Sequence, residues 1–336
     1  MKASSVTIKK AVPQRKPKAI RVGIGLTSYN GSKYLKSSLA SLFAQTYNNF
    51  GMVIVDDGST DESKNIIRRY ARKYTVIRFY RNNTREGMVA TWRKAFELVL
   101  ERFPRVEYFA WASDHDIWDK TWLERMIAEL DKNPDIALCY ASTQIFTNDG
   151  LDMQKRDTVF DSCGRKDIIE RFSYVCNNIH GAGNMVYGVF RVSALKNTGG
   201  FQDVLLPDRL LMFELSLFGE IKQVSDKLWR RRYIPSNEKT LPKQRRTLFG
   251  KKPPLYVYLP WWLVFSLYFF RRYVIPRHSP IDLNRGQRLY ITWILFYTQM
   301  TRNILNILKK KYKRLRKRIA IKRKTSKNNF TKKPKS

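Results

Sequence analysis

Asp114 and Asp116 stand one residue apart, just after the apolar run Tyr108–Ser113. In an extended or tightly turned segment, residues two apart point the same way. Two carboxylates converging at a strand end repel each other unless a cation neutralises them. Hard divalent ions such as Mg²⁺ or Mn²⁺ take oxygen ligands and bridge carboxylates to a substrate's phosphates. Solvated loops produce the same spacing, so the pair alone specifies no chemistry. A second acidic cluster, Asp56-Asp57-Gly58-Ser59, follows another apolar run. It reads as a turn with a helix cap from Ser59, Thr60 or Asp61. A cap there does not exclude a ligand contact by Asp57.

The elements that must position these carboxylates follow one pattern. Short apolar runs at 22–26, 52–55, 76–79, 108–112 and 136–140 read as strands. Helical periods separate them: Tyr34, Leu35, Leu39 and Leu42; then Met88, Val89, Trp92, Phe96 and Val99; then Trp122, Leu123, Met126, Ile127 and Leu130. Strand-helix alternation predicts an α/β fold, a mainly parallel sheet with helices on both faces. In such sheets ligands collect beyond the carboxyl ends of the strands, where both acidic clusters lie. Residues 143–235 are less regular and predict an extension of the sheet. Within them, Leu210, Leu211, Phe213, Leu215, Leu217 and Phe218 have helical spacing behind Asp208.

The formal charge of +36 suggests nucleic acid at first sight, but its distribution argues otherwise. Residues 22–238 carry 30 Lys+Arg against 27 Asp+Glu, whereas residues 239–336 carry 27 basic residues and the single acid Asp282. The body is therefore near neutral and no specific nucleic-acid partner is expected. Three cysteines without a Cys-x-x-Cys pair read as reduced, core-filling thiols in a cytosolic setting. No apolar leader opens the sequence, and residues 1–19 read as a basic, disordered lead-in.

Beyond a domain at 20–238 the character changes. Residues 253–270 are uncharged and hold eight aromatics, bracketed by Lys251-Lys252 and Arg271-Arg272. Spanning a bilayer takes about 20 apolar residues, and Pro260 interrupts this run. The abundance of Trp and Tyr predicts an in-plane or re-entrant anchor over 239–308, with basic residues meeting anionic lipid. The alternative is a set of aromatic helices packed on the domain core. Residues 309–336 form a polybasic tail.

At this point the sequence resembles the family 2 glycosyltransferases of the GT-A fold. Leu26-Thr27-Ser28-Tyr29-Asn30-Gly31 is similar to that family's opening loop, and Gln45-Thr46-Tyr47 to the end of its first helix. Val53-Ile54-Val55-Asp56-Asp57-Gly58-Ser59-Thr60-Asp61 resembles its second motif almost letter for letter. Asp114-His115-Asp116 sits where its Asp-x-Asp belongs. The resemblance covers about 20–233. It implies a Rossmann-like GT-A domain, a nucleotide-sugar donor, a divalent metal (Mn²⁺ or Mg²⁺) and inverting transfer.

By that resemblance Tyr29 stacks on the nucleobase, Thr27 offers backbone, Asp57 accepts from a ring N–H, Asp114 faces the ribose and Asp116 binds the metal. Asn83 and Arg93 are candidate donor-side contacts, the family's arginine being offset here. The family's catalytic acidic pair falls on Pro207-Asp208, which leaves Asp208 as the candidate base, with a helix N-cap as its plainer role. Arg230-Arg231-Arg232 occupies the place of a histidine in many relatives. Arg231 and Arg232 are therefore candidate diphosphate contacts, or simply solvated, and His180 is a candidate acceptor contact.

The resulting expectation is an inverting glycosyltransferase at the cytoplasmic face of the membrane, peripheral or monotopic. A UDP-sugar is slightly favoured, with a lipid-linked or polysaccharide acceptor. The alternatives are a catalytically degenerate scaffold of the same fold, a nucleotidyltransferase, and a tail-driven nucleic-acid binder. A nucleotidyltransferase would carry a Gly-rich phosphate loop after the first strand, whereas Gly23 and Gly25 lie inside that strand.

Overall fold

The computed structural model describes residues 19–153, 159–234, 241–250 and 253–330. The chain runs β1 (Val22–Ser28), α1 (Ser32–Phe43), β2 (Phe50–Asp56), α2 (Ser63–Lys73), β3 (Ile77–Arg81), α3 (Met88–Arg102) and β4 (Tyr108–Ser113). It continues through β5 (Ile117–Trp118), α4 (Trp122–Lys132), β6 (Ile136–Phe146), β7 (Asp152–Met153), α5 (Ile168–Asn178), α6 (Ala182–Met185), β8 (Val189–Arg191) and α7 (Val192–Asn197). Then come α8 (Pro207–Leu215), β9 (Glu220–Arg232), α9 (Leu241–Phe249), α10 (Trp261–Phe269) and α11 (Arg285–Phe330).

All five apolar runs expected as strands are strands. The described strands form one sheet in the order β3-β2-β1-β4-β8-β6-β9-β5, with β7 paired to β6. β3, β2, β1 and β4 are parallel, β8 is antiparallel to both its neighbours, and β6 runs parallel to β9. Every residue of β2 and β4 is buried, because helices cover both faces. One core cluster packs α3, α5 and α8 onto one face; the other packs α1, α2 and α4 onto the opposite face. Close contact explains Gly23, where a Cβ would stand 2.2 Å from Val99 Cγ1 of α3. This tightly packed glycine is no phosphate loop.

The C-terminal region packs on the domain. Phe265, Phe269, Ile291 and Leu295 are fully buried in the core that α8 also joins. Burying a side chain of this size contributes about 1.5–3 kcal/mol. Glu214, fully buried on α8, anchors the attachment. It accepts from Tyr273 Oη (2.6 Å), Tyr268 Oη (3.0 Å) and the Gly199 amide (3.1 Å), and pairs with Arg272 Nε at 3.1 Å. Tyr273 and Arg272 lie in a π-helical turn, Phe270–Val274, that extends α10. Among the described residues no helix is long and apolar enough to cross a membrane. The outer face of this region is nonetheless apolar, with Leu267, Phe270, Tyr290 and Trp293 exposed. The lead-in lies almost wholly outside the described residues, and the tail continues α11 as helix to Phe330.

Candidate active site

The carboxyl ends of β1, β2 and β4 meet at a cleft of about 250 Å³, lined by Thr27, Tyr29, Asp57, Arg85, Asp114 and His115 among others. The loop leaving β1 is held open by a left-handed Asn30 (φ 52°). That conformation suits Asn better than most residues. The Asn30 amide donates to Ser59 Oγ (2.9 Å) and its side-chain oxygen accepts from the Thr60 amide (2.9 Å). The two sequence motifs thus brace each other, and Tyr29 is left 39% exposed at the cleft.

Asp57 is buried and organises the loop before α3. Its carboxylate accepts from Asn82 Nδ2 (2.9 Å) and from the amides of Glu86 (2.8 Å) and Gly87 (3.0 Å). One lone pair stays available to a ligand beyond these three bonds. Gly87 has φ 97°, and a Cβ there would stand 2.4 Å from the Gly250 amide, so only glycine fits. This close approach seats α9 as a roof over the cleft.

Asp114 accepts from Ser28 Oγ (2.8 Å) and the Tyr29 amide (3.3 Å) through Oδ2, and meets His115 Nδ1 at 2.8 Å through Oδ1. Gly31 leaves it room, since a Cβ there would stand 2.1 Å from Asp114 Oδ2. Asp116 is 1% exposed; it accepts from Ser113 Oγ (2.6 Å) and the Arg232 amide (2.8 Å). Burial works against a charge on His115. Its bond to Asp114 and the charges of Asp116 and Asp114 outweigh burial and raise its pKa above the ordinary imidazole value.

Among the described residues no three His, Cys, Asp or Glu side chains converge as a metal-binding group. Asp114 and Asp116 offer hard oxygen donors with lone pairs to spare, the chemistry of Mg²⁺ or Mn²⁺. An ion held there would take these two carboxylates as its protein ligands, with no dedicated protein cage among the described residues.

A second cavity, of about 620 Å³, adjoins the first and shares Met88, Trp92, His115, Tyr187 and Thr247 with it. Asp116, Arg231 and Asp208 all line it, and Phe201, Pro207 and Trp261 supply apolar walls. Asp208 is the second residue of α8, entered through Leu206 in the left-handed region (φ 58°). A non-glycine residue held there costs about 1–3 kcal/mol, strain of a kind that clusters at functional sites. Burial raises the Asp208 pKa, opposed by the Arg209 amide and the Arg209 charge.

The structure therefore brings Thr27, Tyr29, Asp57, Asp114, Asp116, Asp208 and Arg231 onto two connected cavities. Arg231 also donates to Asn184 Oδ1 at 3.1 Å. Arg232 turns its Nε to the His115 carbonyl (2.9 Å) and lies over Tyr34, so it braces the Asp-x-Asp turn. Asn83 is exposed, while its neighbour Asn82 is the buried partner of Asp57. Arg93 pairs with Asp203 (3.1 Å) outside both cavities. His180 lies outside them too, beside Arg302. Among the cleft residues that sequence reasoning passed over are Arg85 and Tyr187. Arg85 is a lone basic residue in a turn, and Tyr187 is embedded in a Gly-rich run.

The sequence profile described as glycosyl transferase family 2 matches residues 24–193. The chain belongs to that family. An uncharacterized glycosyltransferase of Rickettsia typhi is 32% identical over 117 residues, 34% of each chain. A counterpart in Haemophilus influenzae is 27% identical over 115 residues, again 34% of each. The match thus spans about a third of these curated relatives. The crystal structure of Staphylococcus aureus TarS residues 1–349, in complex with UDP-GlcNAc, is similar in fold. Its TM-score is 0.56 at 16% identity, covering 84% of this chain and 73% of that one. The family 2 domain is accordingly GT-A-like, a mixed, mainly parallel sheet flanked by helices.

Proposed function

We propose that this family 2 protein transfers a sugar, with inversion, from a nucleoside-diphosphate donor to an acceptor hydroxyl, a UDP-sugar being favoured. The observation that carries the reading is the junction of the two cavities. A cleft bearing Tyr29, Asp57 and Asp114 opens at His115 and Tyr187 into a chamber bearing Asp208. In the smaller cleft Tyr29 stacks on the base, Thr27 and Asp57 meet its edge and Asp114 meets the ribose. Asp116, with Asp114 beside it, would hold a divalent ion that neutralises the departing diphosphate. In the larger chamber Asp208 takes the acceptor's hydroxyl proton. The acceptor oxygen then bonds to the anomeric carbon as the bond from that carbon to the diphosphate breaks. Arg231, which lines the same chamber as Asp116, adds positive charge beside the leaving group.

The same proposal seats the protein on the cytoplasmic face of a membrane. The exposed apolar face of α10 and α11, including Leu267, Phe270, Tyr290 and Trp293, is what supports it. Arg271 stands beside that face, in a region almost free of acidic residues. Aromatic rings and flanking cations suit an anionic lipid interface. The three unpaired cysteines accord with a reducing compartment.

The test is nucleoside-diphosphate release from a panel of nucleotide sugars, with and without a membrane extract as acceptor source. Extract-dependent release with one donor, abolished in Asp208→Asn, supports the reading. No extract-dependent release with any donor would favour the catalytically degenerate scaffold.

A further inference from the structure

Three basic side chains gather beside Asp208, and among the described residues no other carboxylate acts on them. Arg302 of α11 donates through Nη2 to the Ile179 carbonyl (3.1 Å) and meets His180 Nδ1 at 3.1 Å. Its Nη1 is buried and has no hydrogen-bond partner among the described residues. The Nη2 bond is explained as a cap on the end of α5; the orphaned Nη1 is not. Arg209 follows Asp208 in α8 and lays its guanidinium 5.5 Å from the ring centroid of Trp261. Burial and then the Arg302 charge lower its pKa, and among the described residues Asp208 is the acid that opposes them. Burial, then Arg302 and Arg209, lower that of His180. A neutral imidazole accepting at Nδ1 keeps its Nε2–H as a donor.

Mutually repelling, partly desolvated cations with an unmet N–H are costly unless an anion completes them. Their placement says which anion. Trp261, on which Arg209 rests, is also a wall of the larger cavity. His180 leads through Gly181 into α6, where a Cβ on Gly183 would stand 3.3 Å from Asp208 Oδ2. The cluster therefore borders the chamber in which the base would meet the acceptor.

We infer that Arg209, Arg302 and His180 form an anion subsite that selects a phosphate-bearing acceptor, an inference that rests on the transferase reading of the chamber. Arginine's planar fork suits phosphate oxygens, and the apolar walls at Phe201, Pro207 and Trp261 suit an apolar portion of the same molecule. Two sources share this chemistry, a lipid phosphate and a soluble phosphate ester.

The experiment is calorimetry on the full chain with glycerol 3-phosphate, dihexanoyl phosphatidic acid and UDP as separate probes. Wild type should bind at least one phosphate probe, and Arg209→Gln/Arg302→Gln should weaken that binding at least tenfold while leaving UDP affinity unchanged. The single variant Arg209→Gln should lose part of it, and Arg277→Gln, the same charge removed from exposed surface, none. Tighter binding of phosphatidic acid assigns the lipid source; equal binding of the two assigns the soluble ester. Failure of wild type to bind either phosphate probe, or equal affinities in wild type and the double variant, would overturn the subsite. So would equal weakening by Arg277→Gln. Phosphate binding lost only in the double variant, with no UDP binding by any form, would support the subsite while overturning the donor reading.

Discussion

The guanidinium of Arg85 lies 4.0 Å from the centroid of the Tyr29 ring. The two residues come from different loops, one after β1 and one before α3, and the buried Arg85 Nε has no hydrogen-bond partner among the described residues. The pair therefore closes one side of the smaller cleft and holds an unsatisfied donor at it. A cation over an aromatic ring contributes about 0.5–2 kcal/mol, rising with desolvation. Arg85→Ala should weaken nucleoside-diphosphate binding roughly 5–30-fold, the factor that about 1–2 kcal/mol represents. Calorimetry checks it, and an unchanged affinity would remove Arg85 from the donor site.

Asp208→Asn should lower kcat by about 10²–10⁴, the usual contribution of a positioned base, with donor affinity retained. Because burial raises the Asp208 pKa, the rising limb of the wild-type pH–rate profile should lie above the ordinary value of about 4. The sign for stability follows from the same shift. The fold binds this proton more tightly than the unfolded chain, so Asp208 contributes stability below its unfolded pKa. That contribution is lost as pH rises through the folded value. Asp208→Asn should therefore raise the melting temperature at neutral pH and not in acid, as thermal unfolding at both would reveal.

The strands were legible because each is an apolar run closed by turn residues, as at Val22–Ser28 and Tyr108–Ser113. α2 was not: Ile66 and Ile67 sit among Lys, Arg and Asn, and the helix forms because those two residues pack under the sheet. The acidic motifs pointed to the cavities, since carboxylates at strand ends of a parallel sheet have few other places to go. Their neighbours were harder to read. Asn82 and Asn83 look alike in sequence, and only the turn geometry buries the first. Arg93 lies on a face of α3 that meets Asp203, whereas Arg85 lies in a turn with no periodicity to mark it. The roof formed by α9 depends on Gly87 meeting Gly250, a contact between segments 163 residues apart in numbering.

Glu214→Ala should destabilise the protein by about 3–5 kcal/mol, since it leaves Arg272 and two tyrosine hydroxyls without their buried partner. Denaturant titration measures this directly. A loss below about 1 kcal/mol, the scale of an exposed ion pair, would mean that the network does not hold the C-terminal region to α8.

Leu267→Glu combined with Trp293→Glu places two charges on the exposed face of α10 and α11. Binding to phosphatidylserine vesicles in a sedimentation assay should fall at least tenfold, roughly 1.4 kcal/mol or more. Wild-type binding should weaken with added salt, because screening shortens the reach of the basic flanks. Vesicle binding equal in wild type and variant would contradict docking through this face.

The proposed metal-assisted nucleotide-sugar site centres on Asp116 and its neighbours. The most direct measurement is calorimetric titration of UDP with and without Mn²⁺, comparing wild type with Asp116→Ala. Wild type should bind UDP in a Mn²⁺-dependent way, and the variant at least tenfold more weakly, about 1.4 kcal/mol. Binding that ignores both the metal and the substitution, or no nucleoside diphosphate bound by folded wild type, would contradict it.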